Sequence, residues 1–256
     1  MEIKFVGTGS GQTSLNRYHS SFLINTGGFN LLVDAGDGVS RALMHQKVLY
    51  NFIDGVLISH FHPDHYAGLT SLIVQMKMDG RNKPLILFCH SSNAVFLSEL
   101  IYQSYLFEAK LGFKINIKGF NYERNVKVSD NLTFKARANT HLQPNVNYDK
   151  YNRLEFSSSS FLFKVKEKNI FFTGDIGNLE DLFIFKDVKI NWMITEITHL
   201  SVDELIDAYI KLEPEKVFIT HLSKEDEEKV SKLIFQLPLA ERRKVISAFD
   251  GLNVKI

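Results

Sequence analysis

The sequence predicts an α/β protein built as a four-layer αββα sandwich, and two patterns along the chain support this. Short apolar segments at residues 3–6, 22–24 and 31–33 are separated by glycine-rich turns such as Gly27-Gly28, which favours antiparallel hairpins. After residue 65 the apolar residues recur at helical spacing, and later strand-like segments alternate with helical ones. Two sheets with helices on their outer faces would form the sandwich.

The composition fits one globular domain over residues 1–256. With 45% hydrophobic residues the chain can bury a sizeable core, and its net charge of +1 gives no general attraction to nucleic acid or membrane. No apolar segment approaches the length of a bilayer span, and the first residues lack the apolar region of a signal peptide. The single cysteine, Cys89, permits no internal disulfide and is expected to be a core residue. We therefore predict a cytoplasmic protein without membrane contact.

One later helix can be placed in detail. Ser201 and Glu204 have the spacing of a capping box, so we predict that a helix begins at Ser201 and ends before Pro214. Its apolar face is predicted to contain Val202, Leu205, Ile206, Tyr209 and Ile210. The charged segment 224–232 is predicted to be a second, solvated helix.

The most informative segment is residues 59–65, Ser-His-Phe-His-Pro-Asp-His, which directly follows the strand-like residues 56–58. It supplies the ligand types His60, His62, Asp64 and His65. Imidazole nitrogen and carboxylate oxygen suit zinc, manganese or iron, and this spacing can divide the four side chains between two adjacent ions. A histidine-rich surface turn is the alternative, but it would not require further ligands elsewhere. The segment therefore indicates metal-dependent hydrolysis.

Further ligand types follow three other strand-like segments. His141 follows residues 134–138, Asp175 follows 170–174 and His221 follows 217–220. Because functional groups in α/β folds gather at the carboxyl ends of strands, this common position favours a shared site. Three other histidines lack such partners and are predicted to be surface or structural residues: His19, His45 and His90.

In order along the chain, these residues resemble the five motifs of the metallo-β-lactamase superfamily, almost from end to end. The segment 7–11 (Gly-Thr-Gly-Ser-Gly) with Arg17 and Ser20-Ser21, followed by residues 32–38, resembles the ribonuclease Z branch, which cleaves phosphodiesters. The resemblance implies the following ligand sets: His60, His62 and His141 for one metal, Asp64, His65 and His221 for the other, and Asp175 as a bridge.

The resemblance also implies the chemistry. Two divalent ions, zinc first, with manganese or iron also compatible, would make hydroxide available from a shared water and clamp the phosphoryl oxygens. Asp64 is thus predicted as catalytic as well as a ligand. No serine nucleophile is required, and the chain has no G-x-S-x-G elbow.

Three further residues are predicted to support catalysis. Asp34 would accept a ring N–H from a ligating histidine, although a turn aspartate before Gly36 is equally compatible with the local sequence. His199 resembles the non-ligand histidine that ribonuclease Z-type enzymes place beside the scissile phosphate, where it could stabilise charge or protonate the leaving oxygen. Simple packing at the start of a helix is the alternative. Glu196 could orient His199 or tune its pKa, but the two are closer in sequence than in ribonuclease Z.

The substrate prediction rests on the segment between His141 and Asp175. It is too short for the protruding tRNA-binding arm of ribonuclease Z, and within residues 142–159 Lys150 and Arg153 are balanced by Asp149 and Glu155. Three aromatic residues there could form a lid or pack on the sheets: Tyr148, Tyr151 and Phe156.

We therefore predict a phosphodiesterase for a small nucleotide or other small phosphodiester, without extended tRNA binding. The alternatives are a thioester or lactone hydrolase on the same metals, or a tRNA 3′-processing endonuclease lacking the arm. A non-catalytic binding protein would be expected to have lost ligands. A homodimer is compatible with the sequence.

Overall fold

A computed structural model describes residues 1–256 and divides them into two compact units. The first unit comprises residues 1–121 and 249–256, and the second comprises residues 122–248. Each unit contains one seven-stranded sheet together with helices, in agreement with the predicted α/β class. The single domain over residues 1–256 stays a prediction, and the two units are described separately.

The first sheet combines an antiparallel and a parallel half. Its strands are β1 (Glu2–Gly7), β2 (Ser21–Asn25), β3 (Asn30–Val33), β4 (Gly55–Leu57), β5 (Leu85–His90), β6 (Ile115–Phe120) and the last strand of the chain, β14 (Asn253–Lys255). The spatial order is β14-β1-β2-β3-β4-β5-β6. Pairing is antiparallel from β14 to β3, which confirms the predicted hairpins, and parallel from β3 to β6.

Helices cover one face of this sheet. They are α1 (Val39–His45), α2 (Pro63–Tyr66), α3 (Leu69–Met78), α4 (Ala94–Gln103) and α5 (Glu108–Leu111). The predicted helical spacing is confirmed in α3, where the buried residues are Leu69, Leu72, Ile73 and Met76. They join Val39 and Leu43 of α1 and alternate strand residues in one apolar core. This packing holds α2 and its ligand-type residues next to the carboxyl end of β4.

The second sheet has the same combination of halves. Its strands are β7 (Asn125–Ser129), β8 (Leu132–Ala138), β9 (Ser159–Val165), β10 (Lys168–Phe172), β11 (Trp192–Thr195), β12 (Lys216–Ile219) and β13 (Val245–Ser247). The order is β13-β12-β11-β10-β9-β8-β7, antiparallel from β7 to β10 and parallel from β10 to β13.

Two helices pack on the second sheet, α6 (Val202–Leu212) and α7 (Lys224–Gln236). The capping box predicted at Ser201 and Glu204 is confirmed, since both of its hydrogen bonds are present. The predicted apolar face of α6 is correct except at Ile210, which is 60% exposed. Ile210 lies about 140° around the helix from the buried Leu205, so it faces away from the sheet. The predicted second helix is α7, capped by Ser223 and Asp226.

None of these helices is both long enough and apolar enough to cross a membrane.

Candidate metal centre

In the first unit, four ligand-type side chains lie within six residues after β4. His60 and His65 are almost completely buried, with ring centroids 4.1 Å apart, and the His60 and His62 ring centroids are 4.8 Å apart. Pro63 stands in the first turn of α2, where its missing N–H costs no helical hydrogen bond. The helix therefore starts directly after His62 and places Asp64 and His65 beside the preceding histidines. The His65 Nε2 and Asp64 Oδ2 atoms are 3.4 Å apart.

Asp34 and Ser59 orient two of these histidines. The completely buried Asp34 accepts hydrogen bonds from the Ser59 backbone N–H at 2.8 Å, the Ser59 hydroxyl at 2.9 Å and His65 Nδ1 at 2.8 Å. Because the Ser59 hydroxyl donates its proton to Asp34, its oxygen is available to accept from His60 Nδ1, 3.1 Å away. Both histidines then carry their proton on Nδ1 and present Nε2 as the ligand atom. The turn-aspartate alternative alone would not account for these contacts.

Burial raises the pKa of the Asp34 carboxyl above its ordinary value, and the contacts with His65 and Ser59 oppose that rise. The backbone of Asp34 is also unusual, with φ of 58° in the left-handed region. The turn that follows is packed tightly against the ligand segment. A Cβ atom added at Gly36 would lie 2.1 Å from the Asp64 carbonyl oxygen, so only glycine fits there.

In the second unit, two imidazoles converge on the carboxylate of Asp175. Asp175 Oδ2 is 3.7 Å from His141 Nε2 and 3.3 Å from His221 Nε2. His141 follows β8, Asp175 follows β10 and His221 follows β12, so each stands just beyond the carboxyl end of its strand. Two of these strand ends turn through the left-handed region, at Gly174 with φ of 61° and at His221 with φ of 57°. His and Asp residues able to hold metal ions thus occur in both units.

Glu196 and His199 form a close pair beside these ligands. His199 Nδ1 donates to Glu196 Oε1 at 2.7 Å, and the His199 backbone N–H donates to Oε2 at 3.2 Å. Glu196 is 1% exposed and also accepts from the Ile176 backbone N–H at 2.8 Å, adjacent to Asp175. The His199 ring lies edge-on to the His141 ring, with centroids 5.2 Å apart. The short separation of Glu196 and His199 in sequence therefore does not prevent the predicted contact between them.

The hydrogen bond from His199 to Glu196 raises the pKa of His199, and burial partly opposes the increase. Nδ1 is held by Glu196, so Nε2 is the ring nitrogen that a substrate can reach. The side chain is 38% exposed, which leaves it accessible. The pair can therefore supply a proton or a positive charge at a defined atom.

The glycine-rich segment 7–11 lies next to Asp64. A Cβ atom added at Gly11 would lie 3.3 Å from Asp64 Oδ2. The segment is fixed by Asp250, which accepts from the Thr8 backbone N–H at 2.9 Å, the Thr8 hydroxyl at 2.6 Å and the Tyr18 backbone N–H at 2.7 Å. No pattern in the sequence indicates the roles of Asp250, which supports this segment, and Ser59, which supports the ligand turn.

The segment after His141 contains a short 3₁₀ turn, Gln143–Tyr148, and continues to β9 without forming an arm. Tyr148 is 80% exposed and Tyr151 is 78% exposed, so the alternative that they pack on a sheet is wrong, whereas Phe156 is half-buried. Asp149 organises the segment by accepting backbone N–H bonds from residues 151, 153 and 154. The two tyrosines are therefore held on an ordered turn that begins close to a ligand.

The other titratable candidates have local partners. His19 Nδ1 contacts the Ser10 carbonyl oxygen at 2.6 Å, His45 Nδ1 contacts the Tyr18 hydroxyl at 2.9 Å and His90 Nδ1 contacts the Ser92 hydroxyl at 2.8 Å. None of these histidines belongs to a group able to hold a metal. Burial raises the pKa of the Cys89 thiol to about 12, in keeping with its predicted place in the core.

Comparison with known proteins gives the same fold. A ribonuclease Z of Aeropyrum pernix is 34% identical over 116 residues, which is 45% of this chain and 36% of that protein, so the match spans about a third of its length. The metallo-β-lactamase fold protein YhfI of Bacillus subtilis superposes with a TM-score of 0.76 at 16% identity, covering 98% of this chain and 97% of YhfI. The short form of human tRNase Z (ELAC1) gives 0.72 at 18% identity, covering 100% and 99%.

The two solved structures confirm the predicted metallo-β-lactamase fold, and the ribonuclease Z relative supports the predicted branch. The model of one protein family, described as Anti-Pycsar protein Apyc1, matches residues 1–246. With nearly the whole length matched, the chain belongs to the Anti-Pycsar protein Apyc1 family, within the ribonuclease Z-like branch of the metallo-β-lactamase superfamily.

Proposed function

We propose that this protein is a metal-dependent hydrolase that holds two divalent ions. Zinc is the first candidate for these ions, and the same donors also accept manganese or iron. One ion would be held by His60, His62 and His141, the other by Asp64, His65 and His221, with Asp175 shared. The donor set fits such ions because it consists of imidazole nitrogens and carboxylate oxygens only. The two imidazoles that face Asp175 Oδ2 support a place for this carboxylate in the shared donor set. When bound, the metal pair supplies hydroxide at neutral pH and neutralises phosphoryl oxygens.

The observation that carries the phosphodiesterase proposal is the Glu196–His199 pair. Glu196 holds the Nδ1 proton, so His199 Nε2 is directed to the substrate in a defined tautomer. The raised pKa of His199 favours the protonated ring, which can stabilise the charge on a phosphorane or protonate the leaving oxygen. Hydrolysis of a carbonyl substrate such as a lactone needs no such acid, because the metals alone can serve it.

We propose a small nucleotide or other small phosphodiester as the substrate. The segment 142–158 forms a compact turn, and its two basic residues, Lys150 and Arg153, are balanced by Asp149 and Glu155. Such a segment offers no positive surface for many phosphates. The exposed Tyr148 and Tyr151 could instead cover the base of one nucleotide. The name of the family describes an action against Pycsar, and we propose that this chain shares it through hydrolysis of a small phosphodiester.

A tRNA 3′-processing endonuclease is the second candidate, because the named relative is a ribonuclease Z. A thioester or lactone hydrolase is a third reading of the same ligand set. Cytoplasmic location and a homodimer are further proposals, the second testable by light scattering of the purified protein.

A substrate panel separates these candidates. Metal-reconstituted protein would be assayed on bis-p-nitrophenyl phosphate, 3′,5′-cyclic nucleotides, a tRNA precursor, a thioester and a lactone, with chelator-treated protein as the blank. We expect metal-dependent cleavage of the small phosphodiesters, with the cyclic nucleotides opened to monophosphates. His90→Ala serves as a matched control, since this histidine also ends a strand but lies outside the ligand sets. Efficient turnover of only the thioester or lactone, or of only the tRNA precursor, would reject the proposal.

A further inference from the structure

The second sheet has to bring together two ligands that its strands hold apart. His141 follows β8 and Asp175 follows β10, and β9 lies between these two strands. Neighbouring strands are about 4.8 Å apart, so β8 and β10 are separated by about 9–10 Å. Even so, His141 Nε2 and Asp175 Oδ2 are only 3.7 Å apart. The two side chains span part of this separation, and the loops that follow the two strands also meet across the end of β9.

Asp181 connects these two loops through one carboxylate. Its Oδ2 accepts hydrogen bonds from the Thr140 backbone N–H at 3.0 Å, the Thr140 hydroxyl at 2.8 Å and the Gly177 backbone N–H at 2.8 Å. Thr140 immediately precedes His141, and Gly177 is two residues after Asp175. The same oxygen thus holds the main chain next to both ligands.

The contact between the loops is close and depends on a glycine. A Cβ atom added at Gly177 would lie 2.5 Å from the Thr140 hydroxyl and 2.7 Å from the Thr140 carbonyl oxygen. Asn178 adds a second link, because its side-chain amide donates to the Thr140 hydroxyl at 2.9 Å. The two loops therefore pack directly on each other, with Asp181 as the acceptor that they share.

Asp181 is itself held firmly in place. It is 3% exposed and lies in a 3₁₀ turn, Leu179–Phe183, whose Leu182 is buried in the core of the unit. The four hydrogen bonds that its carboxylate accepts all come from Thr140 and Gly177. Hydrogen bonds to a charged acceptor are roughly twice as strong as those between neutral groups. A carboxylate is therefore better suited to this position than an amide.

We propose that Asp181 is a positioning residue that sets the spacing of His141 and Asp175 for a shared metal ion. It does not act as a ligand, since its oxygens are occupied by the loop donors. The inference rests on the proposed function, because it requires that these two residues bind metal. Asp34 orients the side chain of a ligand. Asp181 instead holds the main chain of the loops that carry the ligands.

The test compares Asp181→Ala and Asp181→Asn with Glu180→Ala as a matched control, because Glu180 lies in the same turn with an exposed side chain. Zinc affinity would be measured by competition with a chromophoric chelator. Substitutions in groups that support metal ligands commonly weaken affinity 10–100-fold. We expect this loss for Asp181→Ala at one site at least, a smaller loss for Asp181→Asn, which keeps one acceptor, and no change for Glu180→Ala. If Asp181→Ala does not fold, the zinc affinities of Asp181→Asn and Glu180→Ala are compared instead, and they decide whether Asp181 positions the ligands.

Two readouts separate positioning from general destabilisation. The visible spectrum of bound Co²⁺ should change in Asp181→Asn, because the ligand geometry changes. In metal-free protein, exchange of the Thr140 and Gly177 amides should be slow in the wild type and about tenfold or more faster in Asp181→Ala.

Wild-type affinity, spectrum and amide protection in the folded Asp181 variants would overturn the assignment and leave the proposed function intact. Conversely, a wild-type protein that binds two ions but cleaves no phosphodiester would overturn the proposed phosphodiesterase function. The amide exchange rates would still show whether Asp181 holds the two loops.

Discussion

Substitution of His199 by alanine is the sharpest test of whether this residue takes part in phosphodiester hydrolysis. If His199 Nε2 contacts the phosphoryl group or the leaving oxygen, its loss should lower kcat by about 10²–10⁴-fold, the usual range for a positioned acid. At about 1.4 kcal/mol per factor of ten, this corresponds to a rise of about 3–5 kcal/mol in the activation free energy. Both metal ions should remain bound, because the proposed ligands do not include His199.

The structure also limits the side effects of this substitution. The His199 side chain is 38% exposed, so its removal creates no closed cavity. The buried Glu196 loses the bond from Nδ1 but keeps the backbone N–H groups of residues 176 and 199. Loss of one hydrogen bond to a charged group costs about 1.5–3 kcal/mol, which a stable domain tolerates. The fall in kcat should therefore greatly exceed any change in the folded fraction.

The assay measures kcat, metal content and thermal unfolding on one preparation, with a cyclic nucleotide or bis-p-nitrophenyl phosphate as substrate. His90→Ala, prepared in parallel, should behave as wild type. Near-normal turnover by His199→Ala with both ions bound would refute the reasoning. His199 would then be a packing residue at the start of a helix, and the preference for phosphodiesters over carbonyl substrates would lose its main support.

Three further results are expected. Asp175→Ala should lose at least one ion, measured by metal analysis after reconstitution, and retention of two ions would contradict the bridging role. Glu196→Gln should lower the pKa of His199, so the high-pH limb of the kcat profile should move to lower pH. The Glu196–His199 pair contributes its full stabilisation below pH 6.5, and this contribution is lost as the pH rises through the raised pKa of His199. The Glu196→Gln variant should therefore lose more stability at low pH than at high pH. An unchanged profile would show that Glu196 does not tune His199. Finally, cleavage of small phosphodiesters should depend little on salt, whereas steep salt dependence with tight tRNA binding would favour the endonuclease.

Much of the fold could be predicted because its signals are local. The capping box of α6 spans four residues, and the helical spacing of α3 is visible in ten, so both were placed correctly. The ligand types could also be found, because they follow apolar strands, and strands that run in the same direction in one sheet have their carboxyl ends at the same edge. The prediction for Ile210 is wrong because the apolar stripe of a helix can be wider than the face that the sheet covers.

The supporting residues could not be predicted because their partners are distant in sequence. Asp181 is 41 positions from Thr140, and Asp250 is 242 positions from Thr8. In the sequence each is one aspartate among several, and no local pattern reveals the distant backbone groups that it accepts from. Only the fold shows that Asp181 and Asp250 are acceptors for whole loops. The role of Ser59 cannot be predicted for a different reason, since it depends on the direction in which one hydroxyl proton points.

The left-handed turns at Asp34 and His221 have a consequence for how such a chain can change. A positive φ disfavours most side chains by roughly 1–2 kcal/mol, whereas glycine, asparagine, aspartate and histidine tolerate it better. Few residues are therefore acceptable at these two positions on backbone grounds alone. Among them, asparagine keeps the turn but supplies neither the carboxylate of Asp34 nor the imidazole of His221. Replacement of either residue by asparagine or glycine would thus weaken the proposed metal binding with little harm to the backbone, so the fold can persist after the activity is lost. In homologous chains, the residues at these two positions should therefore distinguish active enzymes from inactive proteins of the same fold.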